Sequence, residues 1–331
     1  MRALVTGASG FIGGAVARAL LRRGAHVRVL LRAGTAPNGP ALADVEIARG
    51  DLRDAQAVSA AVRGCDAIFH VGALYSFTAP LSEARAVNVG GTRNVIEAVR
   101  AEGTRLVYTS SIATIGGMHD GVLPDEQCMP VGSPPGPYKQ SKWEAEALVR
   151  EEAQRGLDTV IVNPTFPVGV GDVRPTPTGC LIRDFLEGRM PAYVDTGMNV
   201  VDVDDVAEGE LLAFDRGQRG ERYILGHANL TMREFLEELA TIAGRKPPRF
   251  RMPHFVALGL AHADALVTGR LLGRAPRIPL EGVRTAREIM FASPGRAVRE
   301  LGLPQTPIRE ALAKAVHWFE ERARGGRRGV S

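Results

Sequence analysis

The sequence predicts an α/β fold, a doubly wound parallel sheet followed by a smaller, mostly helical C-terminal unit. Three observations carry that expectation. Short β-type runs alternate with helical stretches through the first half, a glycine turn links the first strand to the first helix at residue 7, and beyond Asn163 the pattern changes as Pro and Gly become frequent.

Arg2-Ala3-Leu4-Val5-Thr6 is the first strand. Gly7-Ala8-Ser9-Gly10-Phe11-Ile12-Gly13 follows, and an apolar-periodic helix runs on through Ala15, Val16, Ala19 and Leu20. In this setting Gly7 permits a tight turn, Gly10 a close approach of the backbone to a pyrophosphate, and Gly13 close packing of helix on strand, with the phosphates at the positive helix end. Further strands are expected at Ala25 to Leu31, Val45 to Ala48, Asp66 to His70, Arg105 to Thr109 and Thr159 to Val162. Helices between them would cover both faces of the sheet, with ligand at the carboxyl ends of the strands. A short helix is expected over Thr178 to Gly188, and Asn199 to Val203 reads as a strand returning to the sheet. The expected partition is a dinucleotide-binding domain over 1–165 and 199–226, a substrate domain over 166–198 and 227–320, and a flexible basic tail over 321–331.

Composition fits a cytoplasmic enzyme. Of 331 residues 45% are hydrophobic, enough for an extensive core. The net charge of +4 rests on Arg322, Arg324, Arg327 and Arg328; without them the chain has 37 basic and 37 acidic residues, which gives no argument for a nucleic-acid surface. Cys65, Cys128 and Cys180 are widely spaced and form neither a disulfide framework nor a zinc motif. The chain enters its first strand with no signal-peptide pattern. The apolar segment Phe255 through Leu272 is broken by His262, Asp264 and Arg270, so it is too polar to span a bilayer. It reads as an amphipathic helix covering the substrate domain, with contact to a membrane surface as the lesser reading.

Only four lysines occur, and Lys139 and Lys142 follow closely on Tyr138. A chain that otherwise writes its cations as arginine keeps a lysine where a compact, rotatable ammonium is needed. Tyr138 opens the helical run Lys142 to Arg150, so Tyr138 and Lys142 share a helix face one turn apart. A cation beside a phenol favours the phenolate, which would let Tyr138 exchange a proton with a substrate oxygen near neutral pH.

Together, the GxxGxxG spacing and this pair resemble the extended short-chain dehydrogenase/reductase family, of Rossmann type. Gly50-Asp51-Leu52, His70-Val71-Gly72-Ala73, Asn88-Val89-Gly90-Gly91-Thr92, Tyr108 through Gly116 and Asn163-Pro164 match its motifs in order. Segments 174–179, 190–197, 201–207 and 220–226 narrow the resemblance to the hopanoid-associated sugar epimerases, often labelled dihydroflavonol-4-reductase-like. The resemblance implies a catalytic set of Ser111, Tyr138 and Lys142. It implies a dinucleotide site at Gly7, Gly10, Phe11, Ile12, Gly13, Arg32, Asp51, Leu52, Val71, Ala73 and Pro164, shared with Tyr138 and Lys142. Substrate contacts are expected at Tyr75, Ser111 and Thr165, and a homodimer through helices near 85–101 and 138–155.

Where an NAD-selective fold usually has an acid after the second strand, this chain has Leu30-Leu31-Arg32-Ala33-Gly34. Arg32 matches the arginine that dihydroflavonol reductases use for NADPH. NADP(H) is therefore favoured, with NAD(H) kept open. An epimerase usually retains NAD through its cycle whereas a reductase exchanges a reduced cofactor, so Arg32 favours an NADPH-dependent ketone or aldehyde reductase. Ile115 points the same way, since sugar-nucleotide epimerases commonly have tyrosine there. The alternatives are a sugar or sugar-nucleotide epimerase using retained NAD and a catalytically silent dinucleotide-sensing protein, the latter disfavoured by the intact Ser111, Tyr138 and Lys142. No metal is expected: Asp202, Asp204 and Asp205 read as capping the helix beginning near Val206. His70 reads as a strand-end core histidine, and Asn88 as a tie between its helix and a neighbouring strand.

Overall fold

The computed structural model describes residues 1–76, 79–118, 121–130, 132, 134–264, 266–268 and 280–328. Arg270 and Leu272 of the apolar segment, and Gly329 to Ser331 of the tail, lie outside them.

Seven parallel strands form the central sheet: β1 (Arg2–Thr6), β2 (His26–Leu31), β3 (Glu46–Arg49), β4 (Ala67–His70), β5 (Arg105–Thr109), β6 (Thr159–Pro164) and, after a long interval, β10 (Arg222–Leu225). Their order is β3-β2-β1-β4-β5-β6-β10. The chain runs outward from β1 in one direction and then restarts from β4 in the other. The loops leaving β1 and β4 therefore diverge, opening a crevice at the carboxyl edge. Near-continuous apolar strands such as Leu4-Val5 and Ile68-Phe69 are buried on both faces, as a helix-covered parallel sheet requires. Helices α1 (Phe11–Arg22) and α7 (Val203–Arg216) cover one face; α2 (Ala55–Val62), α4 (Gly91–Glu102) and α5 (Pro137–Gln154) cover the other, while the short α3 (Leu81–Arg85) leads into α4. Asp54 starts α2 by accepting from the backbone N–H of Gln56 and Ala57, a cap that stabilises by about 1 kcal/mol.

The C-terminal unit packs α6 (Pro177–Leu186), α8 (Met232–Ala243) and α11 (Ile308–Arg328) around a separate apolar core with Phe185, Phe235, Leu239 and Phe319. Two small sheets accompany the helices. β7 (Phe166–Val168), β9 (Gly197–Asp202) and β11 (Ala228–Thr231) form one, and β8 (Ala192–Val194) with β12 (Phe250–Met252) the other. Helices α9 (His254–Asp264) and α10 (Leu280–Thr285) pack together beside them.

Three placements differ from the sequence expectation. The strand read at Asn199 to Val203 forms, but it pairs with β7 and β11, and β10 is the strand that completes the large sheet. Ala297, Leu301 and Leu303, assigned to the substrate domain, pack into the core between the sheet and α1/α7. Residues 321–328, read as a flexible tail, continue α11, supported by the Arg324–Glu320 ion pair and by Arg322 over the Trp318 ring at 5.4 Å. Asp202 caps α7 as expected, accepting from the Asp204 N–H at 2.8 Å, although the helix starts at Val203, ahead of the Val206 start read from the sequence. Among the described residues no helix is long and apolar enough to cross a membrane, and no acid, His or Cys cluster could hold a metal.

Candidate active site

A cleft of about 520 Å³ opens at the carboxyl edge of the sheet, walled on its far side by the C-terminal unit. Every residue expected to bind cofactor or substrate or to carry the reaction lines it: the three glycines with Phe11 and Ile12, then Arg32, Asp51, Leu52, Val71, Ala73, Tyr75, Ser111, Tyr138, Lys142, Pro164 and Thr165.

At one end lies the glycine turn. Gly7 has φ of +75°, and a Cβ there would stand 2.7 Å from Gly72 Cα, so the loops after β1 and β4 touch backbone to backbone. A Cβ on Gly13 would run into the Gly7 carbonyl oxygen. Gly10 caps α1 with no side-chain hydrogen bond, and the first turn contains no acid. The helix thus presents unspent N–H groups and its positive end to the cleft, which fits a dinucleotide pyrophosphate. Arg174 reaches over this turn to the Ser9 carbonyl at 3.5 Å. Arg32 is exposed just past β2. Asp51 accepts from Arg53 Nε and Nη2 at 2.8 and 2.9 Å, a pairing that, with Arg32 nearby, lowers its carboxyl to about 2.

The middle of the cleft is built by β5 and α5. Gly136, at φ +81°, turns the chain into α5, and the four-residue spacing brings Tyr138 and Lys142 to one face. Lys142 is buried; its Nζ donates to the Thr109 carbonyl at 2.7 Å and to the Tyr108 hydroxyl at 3.0 Å. Burial lowers this ammonium to about 8, opposed by the carboxyls of Glu146 and Glu210. Glu210 stands on α7, accepts from Thr109 Oγ1 at 2.6 Å, and is itself raised to about 8 by burial. Ser111 follows β5, where its Oγ accepts from the Ala113 N–H at 3.2 Å.

Tyr138 departs from expectation in one respect. Burial pushes its phenol up rather than down, and a hydrogen bond with Ser111 opposes the rise. The ammonium of Lys142 spends its hydrogen bonds on Tyr108 and Thr109 instead. The Tyr75 ring lies 4.3 Å from that of Tyr138 at 45°, closing the mouth above it.

Behind Ser111 is a buried network that sequence reasoning missed. Asn163 Nδ2 donates to the Ser111 carbonyl at 3.1 Å and to Glu146 Oε2 at 2.9 Å, and Thr114 Oγ1 donates to the same carboxylate at 2.5 Å. Arg222 pairs with Glu146 at 3.1 Å and donates to the carbonyls of Cys128, at 2.9 Å, and Glu126. Glu146 stands four residues after Lys142, a helical spacing that could have flagged it; Arg222 has no such local signal. Asn88 joins the Leu74 backbone to Ser141 of α5, at 2.7 and 2.8 Å, rather than tying its helix to a strand. His70 is a buried core residue between Thr6 and Thr92, its imidazole lowered to about 3 by burial and by Lys142.

Residues 3–226 match the family model described as NAD dependent epimerase/dehydratase family. A Synechocystis protein provisionally named dihydroflavonol 4-reductase is 44% identical, over 96% of this chain and 94% of its own. The sterol demethylase protein B of Methylococcus capsulatus is 38% identical, over 97% and 99%. Among solved structures, the UDP-glucose 4-epimerase of Thermus thermophilus in complex with NAD superposes with a TM-score of 0.75 at 26% identity, covering 97% and 99%.

Proposed function

The chain belongs to the NAD dependent epimerase/dehydratase family of NAD(P)-dependent oxidoreductases and epimerases, and within it we propose an NADPH-dependent ketone or aldehyde reductase using Ser111, Tyr138 and Lys142. The carrying observation is the composition of the cleft beyond the glycine turn. Its C-terminal wall carries Phe166, Leu181, Met198, Met232 and Met290 among the polar Thr176, Thr178, Thr196, Thr285 and Glu288, and these large apolar side chains favour an apolar carbonyl compound as substrate. The dihydroflavonol 4-reductase name of the Synechocystis relative supports the same direction.

In this reading the glycine turn and α1 take the pyrophosphate, with Arg174 above it, and Arg32 takes the 2′-phosphate. The reduced nicotinamide, when bound, supplies the hydride. Ser111 Oγ hydrogen-bonds the carbonyl oxygen, Tyr138 gives that oxygen its proton, and Lys142 lowers the free energy of the phenolate left behind. The proposed homodimer would form through the helices near residues 85–101 and 138–155. A second reading, epimerisation of a sugar nucleotide with retained NAD, rests on the likeness to the Thermus thermophilus epimerase.

Two measurements test the proposal. Purified protein is expected to bind NADPH more tightly than NADH, to release it readily, and to consume it with apolar ketones. Arg32→Ala should weaken NADPH about tenfold to a hundredfold and leave NADH unchanged, the loss of a charge-assisted phosphate contact; tightly co-purifying NAD would hand priority to the epimerase reading. With Lys142 lowered to about 8, the reduction rate at saturating NADPH should fall by about tenfold per pH unit above that value, as the ammonium becomes neutral and no longer stabilises the phenolate. A rate that stays flat to strongly alkaline pH would remove Lys142 from that role.

A further inference from the structure

Helix α9 is built inside out. Its buried positions are Ala257 and Ala261, while Phe255, Val256 and Leu260 face outward, with Phe255 76% exposed and Leu260 46%. Val256, Leu260 and Ala263 recur at i, i+4 and i+7, and Phe255, Gly259 and His262 run beside them, so the exposed side is one continuous stripe. Leu266 and Val267 beyond the helix are exposed as well, and Phe250, which opens β12 just ahead of it, is 75% exposed. A helix that served only to cover the substrate unit would turn its large apolar side chains inward. Isolated exposed leucines need no explanation, but a stripe of this length with two outward phenylalanines marks a contact surface.

The flanking charge identifies the partner. From Leu239 to Ala263 the sequence contains no Asp or Glu but has Arg245, Lys246, Arg249 and Arg251. Arg251 pairs with Asp195 at 2.8 Å; Arg245, Lys246 and Arg249 are exposed, and no carboxylate among the described residues pairs with them. Apolar side chains beside an uncompensated basic cluster match the interface of a bilayer carrying anionic headgroups. A second copy of the chain fits poorly, because a twofold contact through this face would bring the two basic clusters together.

We propose that α9 and the basic segment before it dock this protein on an anionic membrane surface, with Phe250, Phe255 and Leu260 entering the headgroup region. Since α10 packs on α9 and supplies Gly282 and Thr285 to the cleft, docking places the cleft beside the membrane. Docking rests on the outer surface alone and holds whether or not the cleft reduces carbonyl compounds.

Co-sedimentation of the full chain with phosphatidylcholine vesicles, with and without phosphatidylglycerol, tests it. The expected result is sedimentation with the anionic vesicles, weakened by salt. Phe255→Ser with Leu260→Ser should bind about tenfold more weakly, and Arg245→Glu with Lys246→Glu and Arg249→Glu should bind at least about tenfold more weakly, with the salt dependence gone. All these positions are exposed, and both variants should keep the parent's NADPH affinity and melting temperature. Wild-type protein remaining in the supernatant with both vesicle types overturns the proposal. So does unchanged vesicle binding by the Phe255/Leu260 variant, and light scattering that showed it breaking a dimer would assign the stripe to self-association instead.

Discussion

Tyr138→Phe is expected to lower turnover by about a thousandfold while leaving dinucleotide affinity within about twofold of the parent. The phenol ring lines the cleft and packs on Tyr75, 4.3 Å away, contacts that phenylalanine preserves. What disappears is the hydroxyl, with its hydrogen bond to Ser111. Burial raises this phenol, so in the reduction direction the proton is present throughout the neutral range and the difficulty lies in giving it up. In the proposed mechanism Lys142, buried one helical turn along, is the cation that would reduce that cost. The measurement is single-turnover NADPH oxidation with a carbonyl substrate, paired with a fluorescence titration of NADPH. A variant that kept a tenth or more of the parent rate would take the proton transfer away from Tyr138.

The parts of this site that were legible in the sequence are those encoded locally. Gly7, Gly10 and Gly13 follow a strand and open a helix, so spacing alone places them at a helix N-terminus. Tyr138 and Lys142 sit four apart on one helix, which fixes their common face. The strands read in the first half formed within a few residues of their expected ends, because a buried parallel strand is a short apolar run bounded by turns. Pairing was less legible. The run at Asn199 to Val203 announces a strand, but nothing in it says which sheet edge it joins, and it joined β7 and β11. The same limit applies to α9: its apolar content is plain in the sequence, but only packing shows that the alanines face in and the phenylalanine out.

Least legible was the network that backs Ser111, because its members come together across long stretches of chain. Asn163 reaches Ser111 across 52 residues and Arg222 reaches Glu146 across 76. Arg222 would pass as an ordinary strand-end cation at β10; the fold instead places it, 5% exposed, against a carboxylate on α5. Helix α5 therefore carries the site and its anchor along one face, with Glu146 one turn beyond Lys142.

Arg222→Met is expected to destabilise the protein by about 3 to 5 kcal/mol, the usual cost of leaving one member of a buried ion pair uncompensated. Both side chains are nearly inaccessible, at 6% and 3%, so solvent screening offers little relief. Methionine can fill much of the arginine stem's volume but cannot donate to Glu146 or to the carbonyls of Cys128 and Glu126. Thr114 and Asn163 would still donate to Glu146 Oε2, leaving the burden on Oε1, which accepts from Arg222. Adding Glu146→Gln removes the stranded charge, and the double variant should recover a large part of the loss. Denaturant unfolding of the parent, both single variants and the double variant gives the coupling directly. A loss below about 1 kcal/mol for Arg222→Met would show that the pair contributes no more than an exposed one. If the network also positions the serine, Arg222→Met should lower kcat more than it raises KM for the carbonyl substrate, since Asn163 links the Glu146 carboxylate to the Ser111 backbone.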